Sequence, residues 1–206
     1  MNTGNCDFSI MEQQFSEEIK QITNKLRELK SLGNEKNCLL SKLEEIKDKF
    51  LEVESIATSF YLNCYLSAFT DKYADLSLCV QRLSVHQHGA LIAVQRRDPI
   101  HPIIQKGTDI GAALTPELLE AIFYPGNPLH DGAAVVQGNH IVSAANVLPL
   151  TNKVIIGRKL GTRHRAALGL SEQSDALVLV VSEETGRVSF ALDGKLYPIA
   201  ATHPLH

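Results

Sequence analysis

The first 62 residues contain no proline, and their apolar residues recur at alternating steps of three and four. This spacing places an apolar stripe along one side of a helix. One stripe runs from Phe8 to Leu29, a second runs from Leu39 to Phe60, and Gly33-Asn34 separates them as a helix-ending pair. The pattern predicts an antiparallel helical hairpin. Because a hairpin alone buries little surface, we expect its stripes to contact the rest of the chain or another subunit.

From residue 63 the pattern changes, first to one more helical stretch from Leu66 to Leu83 and then to alternating strands and helices. Short helices are predicted after Thr115-Pro116 and from Arg163 to Leu170. The strands are predicted to be apolar on both faces, which is typical of a sheet that helices cover on both sides. They lie at residues 90–95, 133–137, 141–148, 176–181 and 188–192.

Charge and hydropathy exclude several classes of protein. The net charge of -3 argues against a nucleic-acid partner, and no apolar run reaches the roughly 18–20 residues of a membrane span. The N-terminus has no secretory signal pattern, so we expect a cytoplasmic protein without a membrane partner. The four cysteines, at positions 6, 38, 64 and 79, form no CxxC pair and are expected to be reduced.

A first polar segment, Pro128–Ala134, leads directly into the strand predicted at 133–137. Its Asp131 can bind a hard divalent cation or accept a proton, and the small residues after it let a ligand approach the backbone. Asp-Gly is also a common turn pair, so the segment taken alone favours an ordinary turn. His130 taken alone is likewise typical of a loop histidine.

A second polar segment, Gly161–Ala167, places two arginines at the predicted start of a helix. We expect Thr162 to cap this helix, whose free N–H groups and positive dipole end attract anions. Arg163 and Arg165 oppose the dipole, which costs stability unless an anion or a carboxylate neutralises them. Because the planar guanidinium suits phosphate oxygens, the segment favours a phosphate site over an exposed basic turn paired with glutamate.

A third polar segment, Ser182–Gly186, follows the strand predicted at 176–181. Its two glutamates can serve a metal ion or a ribose, but the segment taken alone favours a hairpin turn. The chain carries no GxxxxGK[ST] phosphate loop, no GxGxxG after a strand and no GxSxG nucleophile elbow. A nucleotide site in this chain must therefore be built in another way.

Taken together and in this order, the three segments resemble the diadenylate cyclase family. The matching stretches are NPLHDGAAVV, LPL, LGTRHRAALGLSEQSDA and VVSEETG, within about residues 80–198. The helical pair in front resembles the short sporulation-type members of bacilli. The resemblance implies an α/β fold with a mixed, twisted β-sheet flanked by helices. We expect a regulatory or oligomerisation hairpin at residues 1–62, followed by a catalytic domain at 63–206.

The resemblance also implies the chemistry. Two ATP molecules become cyclic di-AMP and two pyrophosphates, as the 3′-hydroxyl of each ATP attacks the α-phosphorus of the other. Each of two face-to-face domains holds one ATP, so we expect a homo-oligomer. A divalent metal is expected, Mg²⁺ or Mn²⁺, with Co²⁺ also suited to the donor set. Asp131 is expected to bind it and help activate the 3′-hydroxyl, with His130 as a second ligand.

The other site residues are carried over from the same motifs. Arg163 and its neighbours are expected to hold phosphates, Leu148 to pack on adenine, and Glu184 to approach the metal of the opposed site. The family often has an aromatic residue before Leu148, where this chain has Val147. The complete nucleotide-binding set is Gly132, Ala133, Leu148, Thr162, Arg163, His164, Arg165, Ser182 and Glu184.

Two other functions fit parts of the sequence. A non-catalytic nucleotide sensor shares the fold and the pocket and uses the hairpin to report occupancy, but it has less need of Asp131. A structural oligomerisation protein explains the stripes but not the arginines at a helix start. The stripes also favour an autoinhibitory hypothesis, in which the hairpin holds the catalytic faces of neighbouring subunits apart.

Overall fold

The computed structural model describes residues 9–31, 36–153 and 160–199, which contain five helices and seven strands. The helices are α1 (Ser9–Ser31), α2 (Lys36–Ser67), α3 (Tyr73–Val85), α4 (Pro116–Phe123) and α5 (Thr162–Gln173). The strands are β1 (Ala90–Gln95), β2 (Thr108–Ala113), β3 (Ala133–Gln137), β4 (His140–Asn146), β5 (Leu177–Val181), β6 (Val188–Leu192) and β7 (Lys195–Ile199).

The seven strands form one sheet in the order β2-β4-β3-β1-β5-β6-β7. β1 and β3 run parallel, and the other neighbouring pairs are antiparallel. The parallel pair requires a crossover, and the chain makes it through β2 and α4. The predicted mixed sheet with flanking helices is therefore confirmed.

Side chains of β1 alternate between the two hydrophobic cores of the protein, because successive residues of a strand point to opposite faces. Ile92 and Val94 belong to a core that α2, α3 and α4 cover. Leu91 and Ala93 belong to a second core on the opposite face, beneath α5. Helices thus cover both faces of the sheet, as the continuous apolar run in β1 predicts.

The N-terminal hairpin consists of α1 packed against α2, as predicted. Ion pairs join the two helices, with 2.7 Å between Lys25 Nζ and Glu45 Oε2 and 2.6 Å between Lys49 Nζ and Glu18 Oε2. The turn predicted at Gly33-Asn34 lies outside the described residues. α2 continues to Ser67, so the boundary predicted between residues 62 and 63 falls within this helix and stays a prediction.

The last turns of α2 anchor the hairpin to the sheet. Leu62 and Leu66 are buried in the core beneath α2, and the Tyr65 ring meets the Phe190 ring edge-on at 6.4 Å between centroids. Phe190 in turn stacks on Tyr197 of β7 at 5.0 Å. The earlier turns of the hairpin keep large apolar side chains exposed, namely Phe15, Ile19, Leu26, Leu39, Leu43 and Phe50.

The two edge strands, β2 and β7, are not predicted by the sequence patterns. β2 alternates between exposed and half-buried positions and contains Gly111, and β7 contains Pro198. An edge strand bonds to one neighbour only, so it tolerates proline and needs no continuous apolar run. The other strand predictions are confirmed with small shifts, since β4 ends at Asn146 rather than 148.

The expectation of four reduced cysteines is wrong for Cys64, which is disulfide-bonded. Cys79 is a free thiol in the core, and burial raises its pKa. The side chains of Cys6 and Cys38 lie outside the described residues. Within the ranges that the structure covers, no helix combines the length and the apolar character needed to cross a bilayer.

Candidate active site

Four strand ends meet at one end of the sheet, called the site end below, and two of them adjoin polar segments. β1 and β3 both begin there, because they are parallel neighbours. β4 ends there, since Asn146 pairs with Ala133 at the start of β3. β5 also ends there, since Val181 pairs with Ala90 at the start of β1. The registers therefore bring the first and third polar segments to the same end of the sheet, on either side of the start of β1.

α5 brings the second polar segment to the same place. An ideal Cβ built on Gly169 would lie only 2.1 Å from the Pro149 carbonyl oxygen, so glycine lets α5 pack directly on the chain leaving β4. The cap is Gly161, without a side-chain hydrogen bond, and Thr162 is the first helical residue. The prediction that Thr162 caps this helix is therefore wrong by one position. Arg165 Nη2 donates to the Thr151 carbonyl oxygen at 3.4 Å.

Arg163 in the first turn of α5 forms an ion pair with Glu183, the residue two positions after β5. The Arg163 Nη1 to Glu183 Oε2 distance is 2.7 Å. The hydrogen bond and the charge of Arg163 hold the pKa of the Glu183 carboxyl below its usual value, and His130 adds to this lowering. A carboxylate therefore neutralises the arginine that opposes the helix dipole. Sequence reasoning selected Glu184 instead, which is exposed.

Gly89, directly before β1, makes room for this ion pair. An ideal Cβ on Gly89 would lie 2.5 Å from Arg163 Nη1 and 2.9 Å from Glu183 Cβ. The glycine thus lets the guanidinium lie against the start of the strand. Nothing in the local sequence indicates this role, because both neighbours are far along the chain.

His130 and Asp131 lie in the loop between α4 and β3. The His130 ring is half-buried, and its Nδ1 lies 2.5 Å from the Asn127 carbonyl oxygen. Asp131 is exposed, and its carboxylate makes no hydrogen bond or ion pair with any residue that the structure describes. A carboxylate in this state is available to a ligand.

The backbone at Gly132 and Ala133 is shaped by Asn146, which sequence reasoning missed. Gly132 has a φ of +114°, and an ideal Cβ there would lie 2.8 Å from the Asn146 carbonyl oxygen. The fully buried Asn146 side chain donates from Nδ2 to the Ala133 carbonyl oxygen at 2.7 Å. Its Oδ1 accepts from Ser143 Oγ and from the Gly107 N–H, each at 3.0 Å. Ala133 is fully buried, so neither its side chain nor its backbone offers surface to a ligand in this structure.

The other predicted residues differ in how much surface they offer. Leu148 is 5% exposed and belongs to the core beneath α5, whereas Val147 beside it is 57% exposed. Ser182 Oγ accepts from the Thr185 N–H at 3.3 Å and so shapes the turn that carries Glu183. Burial lowers the pKa of His164, which favours the neutral imidazole.

The residues near the site end fit a metal that is shared with a bound ligand. Across the described residues, no three or more His, Cys, Asp or Glu side chains gather into a metal cluster. His130 and Asp131 offer one imidazole nitrogen and one carboxylate. That donor set suits Mg²⁺, Mn²⁺ or Co²⁺ when phosphate oxygens or water fill the remaining positions.

The chain matches the sequence models of two families. The model described as "DisA bacterial checkpoint controller nucleotide-binding" matches residues 77–196, and "Diadenylate cyclase CdaS, N-terminal" matches residues 4–69. The chain is 50% identical over 194 residues to the diadenylate cyclase CdaS of Bacillus thuringiensis strain BMB171, covering 90% of this chain and 96% of that protein. It is 54% identical over 171 residues to the cyclic di-AMP synthase CdaS of Bacillus subtilis strain 168, with 83% and 82% covered.

Two solved structures are similar to the fold. A protein from Bacillus cereus, described as a hypothetical membrane spanning protein, superposes with a TM-score of 0.79 and 49% sequence identity. The match covers 92% of this chain and 93% of that chain. A double mutant of DacA from Staphylococcus aureus superposes with a TM-score of 0.59 at 43% identity, covering 62% of this chain and 85% of that one.

Proposed function

The chain belongs to the diadenylate cyclase family, as its motifs predict, and we propose that it converts two ATP molecules into cyclic di-AMP and two pyrophosphates. It is thereby a nucleotidyltransferase-type enzyme. In each half-reaction a bond forms between one 3′-oxygen and the other α-phosphorus, the bond from that phosphorus to pyrophosphate breaks, and the hydroxyl loses its proton. The observation that supports this proposal is that three features meet at the site end: the Asp131 loop, the Arg163–Glu183 pair and the start of α5.

We assign the triphosphate to the first turn of α5. Free N–H groups and the positive dipole end attract anions there, and Arg163 adds a guanidinium that is already oriented by Glu183. Thr162 and Arg165 are exposed next to it, so both can reach phosphate oxygens. His164 acts as a neutral donor rather than a cation, because burial lowers its pKa.

Asp131 is the residue to which we assign activation of the 3′-hydroxyl. Its carboxylate is exposed and unpaired among the described residues, so it can accept the hydroxyl proton or hold a divalent metal together with His130. Bound Mg²⁺, Mn²⁺ or Co²⁺ would neutralise phosphate charge and lower the pKa of the attacking hydroxyl.

One chain carries one such site, whereas the reaction needs two ATP molecules facing each other. We therefore propose a homo-oligomer in which site ends are paired. Val147 and Glu184 are exposed beside the site, where a second copy can approach. We assign Glu184 to the metal of the opposed site. Adenine packs on Val147 as well as on the buried Leu148, since Val147 offers more surface.

The proposal is tested with purified protein, ATP, and Mn²⁺ or Mg²⁺, using mass-resolved chromatography to detect cyclic di-AMP. We expect Asp131→Asn to lower synthesis at least about 100-fold, a loss typical when a general base is removed. Its melting temperature should stay that of the wild type, because the Asp131 carboxylate makes no contact that supports the fold.

Asp48→Asn, at an exposed aspartate of α2, is the matched control and should keep full activity. Near-wild-type synthesis by Asp131→Asn would remove this residue from the mechanism. Measurable ATP binding without any product from the wild type would favour the nucleotide sensor instead.

A further inference from the structure

We propose that Asn127 is a positioning residue that fixes the proton of His130 on Nδ1 and keeps Nε2 as its free nitrogen. The inference rests on the proposed function, because it concerns the histidine assigned to the reaction centre. Asn127 lies three residues before His130 and begins the NPLHDGAAVV stretch, but it is not among the expected metal- or nucleotide-binding residues. Its backbone carbonyl contacts His130, and its side chain holds the loop that contains this carbonyl.

The Asn127 backbone carbonyl accepts two hydrogen bonds from His130. One comes from the His130 backbone N–H at 3.1 Å, and the other involves ring Nδ1 at 2.5 Å. A carbonyl oxygen can only accept, so Nδ1 must carry the proton in this contact. The lone pair of the neutral ring is therefore on Nε2, which is the nitrogen left to bind a metal or take a proton.

The Asn127 side chain holds that carbonyl in place. Its Nδ2 donates to the Ala121 carbonyl oxygen in the last turn of α4 at 2.7 Å. Its Oδ1 accepts from the Leu129 N–H at 2.9 Å. The Ala121 carbonyl also accepts from the Tyr124 N–H at 3.4 Å, so the first bond adds a second tie between the loop and the end of α4. The second bond closes the turn that leads to His130. One side chain thus ties the loop to the helix.

α4 holds this loop in a fixed position, because one face of the helix is buried in the core. Leu119, Ile122 and Phe123 are each at most 2% exposed. The packing of α4 in the core therefore fixes the position of Asn127, and Asn127 in turn fixes the orientation of the His130 ring. Hydrogen bonds that orient a ligating histidine typically change metal affinity or activity by about 10- to 100-fold when they are lost.

Asn127 can be substituted without leaving a closed void. It is half-buried and lines an open cavity of about 690 Å³ between the end of α3 and α4, together with His88 and Tyr124. Water can fill the space that a shorter side chain leaves. Asn127→Ala removes both side-chain bonds and keeps the backbone carbonyl. Asn127→Ser keeps an acceptor for the Leu129 N–H and loses the donor to α4.

The first experiment reads the tautomer directly and needs no turnover. Full-length protein labelled with ¹⁵N-histidine gives a long-range ¹H–¹⁵N spectrum, in which His130→Gln identifies the His130 signals. We expect wild-type His130 to be protonated on Nδ1. We expect Asn127→Ala to show a mixture of tautomers, and Asn127→Ser an intermediate state. A wild-type ring protonated on Nε2, or a ring unchanged in both variants, would overturn the proposal.

The second experiment separates positioning from general damage to the fold. We expect Asn127→Ala to weaken Mn²⁺ binding, followed by electron paramagnetic resonance without ATP, and to lower kcat, each by about 10- to 100-fold. Adding Asn127→Ala to His130→Gln should lower kcat no further, because both changes act through the same ring. Full additivity of the two substitutions would show that Asn127 acts independently of His130.

Discussion

At the scale of single residues, the position of the Arg163 guanidinium depends on the absence of a side chain at Gly89. Arg163 lies across the start of β1 and is held there by Glu183 at 2.7 Å. An arginine held in place before substrate arrives loses less side-chain freedom on binding phosphate. Gly89 therefore contributes to the proposed phosphate site although it has no functional group.

We expect Gly89→Ala to weaken ATP binding about tenfold, which corresponds to about 1.4 kcal/mol. The added methyl group would lie 2.5 Å from Arg163 Nη1, so the guanidinium must move, while the backbone keeps an ordinary φ. The measurements are KM for ATP and calorimetric ATP binding. Combining Gly89→Ala with Arg163→Ala should have the effect of Arg163→Ala alone. A further tenfold loss in the double variant would contradict a role through Arg163.

Sequence motifs single out Asp131 and Arg163 but not Glu183, nor the residues that position these side chains. Asp131 and Arg163 stand in recognisable segments, and the structure brings those segments to the same sheet end. Gly89, Asn127 and Asn146 act through neighbours that the fold brings near or through particular hydrogen bonds. No local pattern encodes the contacts of Gly89 and Asn146, so these two could not be singled out from the sequence. Asn127 begins a recognisable stretch and its Asn-Pro pair favours a turn, but its bond to Ala121 depends on how the loop packs on α4.

At the scale of secondary-structure elements, Asn146 joins three parts of the chain at the site end. It lies at the end of β4, bonds to the Ala133 carbonyl oxygen of β3, and accepts the Gly107 N–H just before β2. The neighbouring Ala145 has a φ of +55°, and the β3–β4 register shifts beside it. The Asn146 side chain thus supplies the hydrogen bonds that regular strand pairing does not make there.

We expect Asn146→Ala to lower the melting temperature by about 5–10 °C. The substitution leaves buried donors and acceptors unpaired, which costs about 1–3 kcal/mol for each group. In a chain of this length each kcal/mol shifts the melting temperature by about 2–4 °C. Thermal unfolding followed by circular dichroism measures the change.

Asn24→Ala, at an exposed asparagine of α1, is the control for the loss of an amide side chain and should melt within about 1 °C of the wild type. Equal melting temperatures for Asn146→Ala and the wild type would contradict the structural role of Asn146.

β1 could be predicted to the residue, whereas helix ends, edge strands and caps could not. The single helical stretch predicted from Leu66 to Leu83 spans the end of α2, a turn and most of α3. The pattern of β1 gives its limits because both of its faces are buried. β2 and β7 could not be predicted in this way, because a strand with one neighbour needs no continuous apolar run and tolerates Gly111 or Pro198. The cap of α5 is Gly161 rather than Thr162, a difference that depends on backbone angles at the loop and not on residue preference.

At the scale of the whole molecule, the hairpin is anchored at one end and apolar along much of its exposed side. Leu39, Leu43 and Phe50 share one side of α2 and are 43–57% exposed. Exposed apolar side chains at helical spacing are typical of a surface that another subunit covers. Deleting residues 1–62 would also remove the buried Leu62, so point substitutions test the role of the hairpin more cleanly.

We expect Leu43→Glu to reduce the mass of the assembly in analytical ultracentrifugation and to raise specific activity in cyclic di-AMP synthesis. A carboxylate on the apolar side of α2 disfavours burial against another subunit. If the hairpin holds catalytic faces apart, loosening that contact frees them to pair. An unchanged mass would contradict the oligomerisation role, and a lower mass without higher activity would contradict autoinhibition.

Ser41→Glu is the matched control for the added charge. It lies on α2 two residues from Leu43 and is exposed on the opposite side of the helix, which faces away from the apolar stripe. Assembly mass and activity should both equal those of the wild type.

The length of α2 gives the hairpin the properties of a lever. Its 32 residues span about 48 Å at 1.5 Å per residue, and its contacts with the sheet lie in the last turns, around Tyr65. With this pivot at one end, a tilt of about 10° displaces the other end of the helix by roughly 8 Å. A small change in how the aromatic rings pack on β6 and β7 would therefore become a large displacement at the far end of α2, and a weak force applied there would exert a large torque on the sheet.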